Sequence, residues 1–472
     1  MPRCFPDRTV MIPKCEILTD KNVAMSSDAQ ATLREISQIP SVEHMAAVPD
    51  FHFKDRMEAP SSLATATTAT MIPHLTSASL NCGMGLLRTG ISRSEFTNER
   101  IRDFLIQFRA TVTETEKYDL NVEELLNILQ HGAKAILEKY SLPLGWLQSI
   151  EQCGVFDSTN HKTENDFYDI LAKENLLNQN HGMFKDLGIG FSGNHFVEIQ
   201  EVSQIFNPDA CQHYNLSLGE MVIMYHGGGG VVPWYIGRYF ANRLKASNSV
   251  KFFYNKSKFH FGRLADIHRA PQRWHYYFGR RKFVAIQDDT EEGRRMAFAQ
   301  AASMNYGYAY RMVAVARFVH SLRFVFSDEL PDAELLHDSS HNHIASETID
   351  GKSMWVHRHN SCRVVPGAIH ILPGYHTTSS FVGLGADGAE AFLNTMPHGA
   401  GHTIKKYFTT SLSKQITHKK TLKYLNGSTE PVEVCHVTDE GINSVVNSLQ
   451  SHNIFKPIAK LTPIAVLKGY RG

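Results

Sequence analysis

Cys82 lies in the run Ser79-Leu80-Asn81-Cys82-Gly83-Met84-Gly85, and several histidines farther along the chain sit in equally small surroundings. His195 is found in Gly193-Asn194-His195-Phe196-Val197-Glu198, His226 before Gly227 to Gly230, and His341 in His341-Asn342-His343. His398 opens the run His398-Gly399-Ala400-Gly401-His402. A thiolate with imidazoles suits zinc, manganese, iron or cobalt, and one thiolate can bridge two ions. Glycines beside such residues let backbone close around something small. At His398 the small neighbours would admit a phosphate, and a helix start just after them could bind the anion. A neutral imidazole also attacks phosphorus readily near pH 7. Taken alone, a histidine such as His195 reads better as a core residue bonded to backbone, and the His398 run can be read as an ordinary turn before a helix. The sequence does not place the set together in space.

These residues need elements to position them. Val222 to Tyr225 is a short apolar run that reads as a strand delivering His226 to a loop, and a loop at Gly193 feeds a strand carrying His195 and Phe196. Cys82 falls in a turn, and His341 in a Ser-rich turn. Ile101, Phe104, Leu105 and Phe108 repeat at helical spacing, as do Leu125, Leu126 and Leu129, so residues 98–140 are expected to be helical. Glu291 to about Val325 is the longest helical candidate, apolar on most sides and therefore buried. Val432–Val437 alternates like a strand, Ile442–Leu449 reads as a helix and Pro463–Leu467 as a last strand. The polar stretch 151–182 reads as a surface excursion or insertion. Strands and helices interleave irregularly, which favours an α+β fold over a doubly wound sheet.

Composition bounds the rest. The chain of 472 residues has net charge +1 and 42% hydrophobic residues, enough for a large core. No stretch approaches the roughly 18 apolar residues a membrane helix needs, and the first twenty residues hold no apolar signal core, so a cytoplasmic protein without a membrane role is expected. Seven cysteines without CxxC pairs argue against a disulfide framework or a structural zinc module, and most are expected to be buried, inert thiols. Lys251 to Lys282 holds nine Lys or Arg and a single acid, Asp266, interleaved with aromatic residues such as Phe253, Trp274 and Tyr277. That pattern reads either as a segment that binds RNA by phosphate neutralisation and base stacking, or as an amphipathic surface with its rings turned inward. No P-loop of the form GxxxxGK[ST] is present.

The ordered motifs resemble one family, the RtcB-type RNA-splicing ligases, along nearly the whole chain. Leu18-Thr19-Asp20 and Val48-Pro49-Asp50-Phe51-His52 resemble its N-terminal landmarks. Cys82-Gly83-Met84 is similar to its metal-binding CGM, Gly193 to Glu198 to its GNHFxE, and His226-Gly227-Gly228 to its HSG turn. Asn305-Tyr306, His341-Asn342, Val356-His357-Arg358, Leu372-Pro373-Gly374, His398 to Gly401 and Pro463 to Gly469 follow in the family's order.

The resemblance implies a single α+β domain over residues 1–472, with mixed sheets around a central metal and nucleotide cleft. It implies one or two manganese ions: Cys82, His226 and His341 would hold one, and Cys82 and His195 would share the other. His398 would take GMP from GTP. Asn194, His195, Phe196, Val197, Glu198, His341, Asn342, Pro373, Gly374, Tyr375, His376, Ser380, His398, Gly399, Ala400, Gly401 and Lys468 would surround the guanosine and its phosphates. The implied reaction, in RNA repair or tRNA splicing, joins an RNA 3′-phosphate or 2′,3′-cyclic phosphate to a 5′-hydroxyl, with an archease-like protein as activator.

Four positions depart from the pattern. Ser79 stands where the family's DxxCGM has a metal-binding Asp, and a hydroxyl is a poor ligand for a hard dication. Gly230 and His402 stand where HSGSRG and HGAGR have arginines, and neither reproduces a bidentate guanidinium. Pro373-Gly374-Tyr375-His376-Thr377 replaces PGSMG and puts bulk beside the nucleotide. Two further readings follow from these departures: a paralogue with altered end or nucleotide specificity, and a non-catalytic RNA-binding descendant.

Overall fold

The computed structural model describes residues 12–20, 23, 25–54, 57–114, 121–156, 187, 191–241, 282–327, 333–410, 416–425 and 428–470. The basic aromatic segment, apart from Lys282, and residues 157–182 of the expected insertion lie outside them. Glu151, at the start of that stretch, is not on a surface excursion: its carboxylate is buried and accepts from the Ser340 amide at 2.9 Å.

Among the described residues the largest sheet has nine strands, and its path runs Ile369–Leu372, Ser380–Gly385, Phe455–Tyr470, Phe191–Ile205, Glu220–Gly227, Gly83–Ser92, Glu334–Ser340. Ile416–Leu425 and Val432–Val437 extend it from Phe455–Tyr470, the former in parallel and nearly all other pairs antiparallel. A five-stranded sheet lies alongside in the order Cys15–Ile17, Val42–His52, Ser61–Thr67, Lys352–His359, Asn342–Ile349, again with one parallel pair. This is the α+β arrangement of mixed sheets expected from the irregular order of elements.

The main core lies between the large sheet and a layer of helices. Its spine is Glu291–Phe326, a helix of 36 residues that starts on the Thr290 hydroxyl cap and is buried on nearly all sides over most of its length. Asn98–Glu114, Val122–His131, Ala133–Lys139 and Val231–Tyr239 pack on it. Phe108 and Phe318 meet at 4.9 Å between ring centroids, and Tyr225 brings the sheet to the same cluster at 5.7 Å from Phe318. A helix apolar on most of its sides is stable only when surrounded, and here it is.

One polar device interrupts this core. Arg311, fully buried in the long helix, makes a bidentate ion pair with Asp338, and Asp338 also accepts from the Tyr225 hydroxyl at 2.8 Å. The same guanidinium donates to the Asn81 carbonyl at 2.5 Å and to its side-chain oxygen at 3.0 Å. Asn81 has the left-handed φ of 49° that the turn before Cys82 requires. Gly307 makes room for it, since a Cβ there would lie 2.6 Å from the Asn81 side chain.

Candidate metal and nucleotide site

Four neighbouring strands of the large sheet bring the predicted ligands to one end. Phe196 pairs with His226, Met84 with His226 on the other side, and Gly83 with Ser340, so His195, His226, Cys82 and His341 arrive side by side. Cys82 Sγ lies 3.2 Å from His195 Nε2 and 3.3 Å from His226 Nε2, and His226 Nε2 lies 3.1 Å from His341 Nε2. The ligand atoms of Cys82, His226 and His341 all fall within 4.8 Å of one another. Bonds of about 2.0–2.3 Å to a tetrahedral ion place ligand atoms about 3.3–3.7 Å apart, so the spacing fits a metal with little adjustment.

The protonation states fit as well. Burial keeps His226 and His341 well below the usual histidine range and brings His195 to about 4, so all three are neutral and offer lone pairs. Burial pushes the Cys82 thiol up to about 12, partly opposed by the Arg311 charge and by a hydrogen bond from the Ser79 side chain. A dication reverses that, because a coordinating thiol gives up its proton. Glycines are required here for space: a Cβ on Gly229 would lie 2.0 Å from the Leu80 carbonyl, and one on Gly228 3.1 Å from the His195 ring.

His398 stands beside this cluster, its ring centroid 4.5 Å from that of His341 and 6.2 Å from that of His226. It precedes the helix Gly401–Thr409, as read from the sequence, and follows the short strand Thr395–Pro397, which was not. Its Nδ1 lies 2.9 Å from the Asn360 carbonyl, which can only accept. The ring proton is therefore on Nδ1 and Nε2 keeps its lone pair. Burial and the nearby Lys54 charge bring its pKa to about 4, so the ring stays neutral. Asn360 is itself fixed: its amide donates to Asn342 Oδ1 at 2.9 Å and its side chain to Ser61 Oγ at 2.8 Å.

The predicted nucleotide residues divide into groups. The Ala400 amide donates to the Pro373 carbonyl at 3.0 Å, joining the His398 loop to the Pro373-Gly374 loop, and Gly399 lets them approach. Ser380 Oγ accepts from the Gly374 amide at 3.0 Å and from Gln200 Nε2 at 3.3 Å, and Gln200 donates to Glu198 Oε2 at 2.7 Å. Buried Glu198 is raised to about 7 by desolvation despite the Lys468 charge. Tyr375 lies over Lys468, whose Nζ is 4.9 Å from its ring centroid, and His376 is buried beside it, its Nδ1 without a hydrogen-bond partner among the described residues.

Other members contribute differently. Phe196 packs against the His226 ring at 5.7 Å, and Asn194, exposed itself, bonds His226 through its backbone. Val197 turns its side chain into the main core, and Ala400 into a second one, so each could offer only backbone. Asn342 acts on Asn360. Gly401 is open, since a Cβ there would meet nothing within 4 Å.

Lys54, Asn360, Gln200 and the Arg311–Asp338 pair belong to no motif of the sequence, and Asp50 enters only as part of a landmark. A lone arginine in the apolar run Tyr308 to Ala316 is the visible signal for the buried pair. Of the described cysteines, Cys82, Cys211 and Cys362 are buried and Cys15 is half-buried, whereas Cys153 and Cys435 are exposed, so the expectation of mostly buried thiols holds for about half of them. Single thiols carry too little pattern to tell the two apart. Among the described residues no helix is long and apolar enough to cross a membrane.

Comparison with known proteins identifies the family. The family model described as tRNA-splicing ligase RtcB matches residues 32–469. A protein of that name from Methanococcus maripaludis is 23% identical over 94% of this chain and 92% of its own length. One from Nanoarchaeum equitans is 25% identical over 92% of this chain and 90% of its own. One from Pyrococcus horikoshii is 24% identical over 82% of this chain, which spans 44% of that longer protein. A match over this much of the chain, together with the convergence of its motif residues, places the protein in the RtcB tRNA-splicing ligase family.

Proposed function

We propose that the chain is an RNA ligase that uses GTP and manganese and works through a guanylylated His398. The observation that carries this reading is the His398 ring: neutral, held by Asn360 through Nδ1, and 4.5 Å from His341 of the candidate metal cluster. In the first step His398 Nε2 attacks the α-phosphorus of GTP. The N–P bond forms as the bond to the bridging oxygen breaks, and pyrophosphate leaves with the electron pair. Asn360 keeps the Nδ1 proton oriented while positive charge develops on the ring. In the second step a 3′-phosphate of RNA takes the GMP and frees His398. A 5′-hydroxyl then attacks the activated end and GMP departs.

Cys82, His195, His226 and His341 would hold the manganese, which when bound neutralises phosphate charge and orients the attacking group. Glu198, Lys468 and the loop at Gly374 and Ser380 would hold guanosine. Glu198 and Lys468 lie within electrostatic reach of each other, and a carboxyl acceptor beside an ammonium donor suits a base with both donors and an acceptor on one edge. A 2′,3′-cyclic phosphate end is an expected substrate form, tRNA splicing or RNA repair the expected process, and an archease-like activator an expected partner.

The test is incubation of the protein with α-labelled GTP and manganese. Label attached to protein and lost in His398→Ala is expected; no label, or label that persists in the variant, overturns the reading. A second reading, a paralogue with one ion and altered end specificity, is favoured by Ser79, whose side chain supplies Cys82 with a hydrogen bond rather than a carboxylate ligand. Two tightly bound ions per chain would contradict it.

A further inference from the structure

Glu151 is a buried acid that belongs to neither the metal set nor the nucleotide set. Its Oε2 accepts from the Ser340 amide at 2.9 Å and from the Tyr308 hydroxyl at 3.4 Å. Its Oε1 has no hydrogen-bond partner among the described residues, and His343 Nε2 lies 3.9 Å away. A carboxylate removed from water with one oxygen unsatisfied is unfavourable, and a residue that merely filled the space would be apolar. The backbone just after it is also held away from its preferred conformations. Gln152 and Cys153 have left-handed φ angles of 54° and 53°, and Gly154 follows at 69°. Two consecutive residues with a Cβ in that region persist only where their surroundings impose it.

What Glu151 touches is the root of a candidate ligand. Ser340 ends the strand Glu334–Ser340, the last on the path of the large sheet, and His341 follows it. Ile150 forms a parallel bridge to Asp338 in that strand, so Ile150 and Glu151 run along its outer edge. The next amide, that of His341, donates to the Cys82 carbonyl at 2.9 Å. Two successive amides are thus fixed by different partners, Glu151 and the Cys82 turn, and the His341 imidazole projects from between them. The long helix backs both turns. Tyr308 reaches Glu151, and Arg311, three residues on and therefore on the same face, reaches Asn81 ahead of Cys82.

We propose that Glu151 is a positioning residue for the metal site: through the Ser340 amide it sets the peptide that carries His341, and with it the distance from that imidazole to Cys82 and His226. This rests on the metal reading above and adds a residue that touches neither ion nor substrate. An ionised carboxyl holds an amide more firmly than a neutral acceptor does. Removing a side chain that orients a ligand weakens metal binding about 10–100-fold, because the ligand must then be ordered as the ion binds.

The experiment is titration of cobalt(II), whose visible spectrum reports ligand geometry, into the metal-free full chain, with melting temperatures taken alongside. Glu151→Ala should bind at least roughly tenfold more weakly and with altered bands. Glu151→Gln should recover most of the affinity, since its amide oxygen still accepts from Ser340. Tyr308→Phe, which removes one donor to the carboxylate, should show a smaller loss. Leu147→Ala is the control: it loosens the packing of the same segment on the core without touching Glu151, and should lower the melting temperature while leaving cobalt affinity and spectrum in place. Unchanged cobalt binding in Glu151→Ala overturns the proposal. So does an equal loss in Leu147→Ala, or a glutamine variant no better than alanine, since the role would then be one of general stability. Should the alanine variant not fold, Tyr308→Phe against Leu147→Ala decides the same question. A wild-type chain that takes up no cobalt overturns the metal reading itself, and this proposal with it.

Discussion

His398 donates its Nδ1 proton to the Asn360 carbonyl at 2.9 Å, and that contact decides which nitrogen can act. With Nδ1 committed, Nε2 holds the lone pair, and burial keeps it unprotonated down to about pH 4. Label transfer from GTP to His398 is therefore expected to show no loss attributable to this ring between pH 8 and pH 6. An unburied histidine would lose half its neutral form near 6.5. A single-turnover pH profile with a midpoint between 6 and 7 that follows His398 protonation would contradict the assignment.

Metal binding should release close to one proton per chain, from Cys82. The histidine ligands are already neutral, and the Cys82 thiol, pushed up to about 12, is the group that must ionise. Calorimetry in buffers of different ionisation enthalpy measures the count. The affinity should rise about tenfold per pH unit through the neutral range. Cys82→Ala should remove both the pH slope and most of the affinity.

Ser79→Asp is expected to raise the number of bound ions. The Ser79 side chain already reaches Cys82, and a carboxylate there adds a hard oxygen ligand beside the thiolate and His195. Metal content per chain by mass spectrometry should rise above that of the unsubstituted protein, and an unchanged count would show that the serine is not what limits occupancy.

The Arg311–Asp338 pair should be among the costliest polar contacts to break. Asp338→Asn leaves a guanidinium buried at 0% exposure facing a neutral partner. A loss of about 3–5 kcal/mol is expected from urea unfolding. Gly307→Ala tests the same support more gently. Glycine to alanine inside a helix ordinarily stabilises by roughly 0.5–1 kcal/mol. Here the added carbon meets Asn81 at 2.6 Å, so the sign should reverse and metal affinity fall with it.

Buried histidines should make the metal-free fold sensitive to mild acid. Burial brings His337 and His357 to about 4 and His370 to about 3, against 6.5 when unfolded. Between these values the unfolded rings take up protons that the folded ones refuse. The stability is present in full above 6.5 and declines as pH falls towards 4, by about 1.4 kcal/mol per pH unit for each ring. Asp50 and Glu198, both raised to about 7 by burial, act in the opposite direction as pH falls below 7. Urea midpoints taken from pH 7 to pH 4 would reveal the balance, and a flat series would refute it.

The sequence by itself determined the elements and the chemistry of their ends. Apolar periodicity placed the helices at Asn98–Glu114, Val122–His131 and Glu291–Phe326, because burying one face, or all faces, leaves a repeat that can be read locally. The final strand was legible only in part: Pro463–Leu467 proved to be the middle of Phe455–Tyr470, whose flanking residues do not alternate. Residue types named Cys82, His195, His226, His341 and His398, since few other side chains can bind a metal or attack phosphorus.

Tertiary structure alone decided that they meet. Cys82 and His226 are 144 positions apart and His226 and His341 115 apart, yet their ligand atoms come within 3.3 Å. Strand order in the large sheet does this, and strand order is set by packing over the whole core rather than by any local pattern. The same holds for Asn360 under His398, for Lys54 beside it, and for His402, whose ring stacks on that of His52. Each is a neighbour across sheets, with nothing in its own segment to announce the partner.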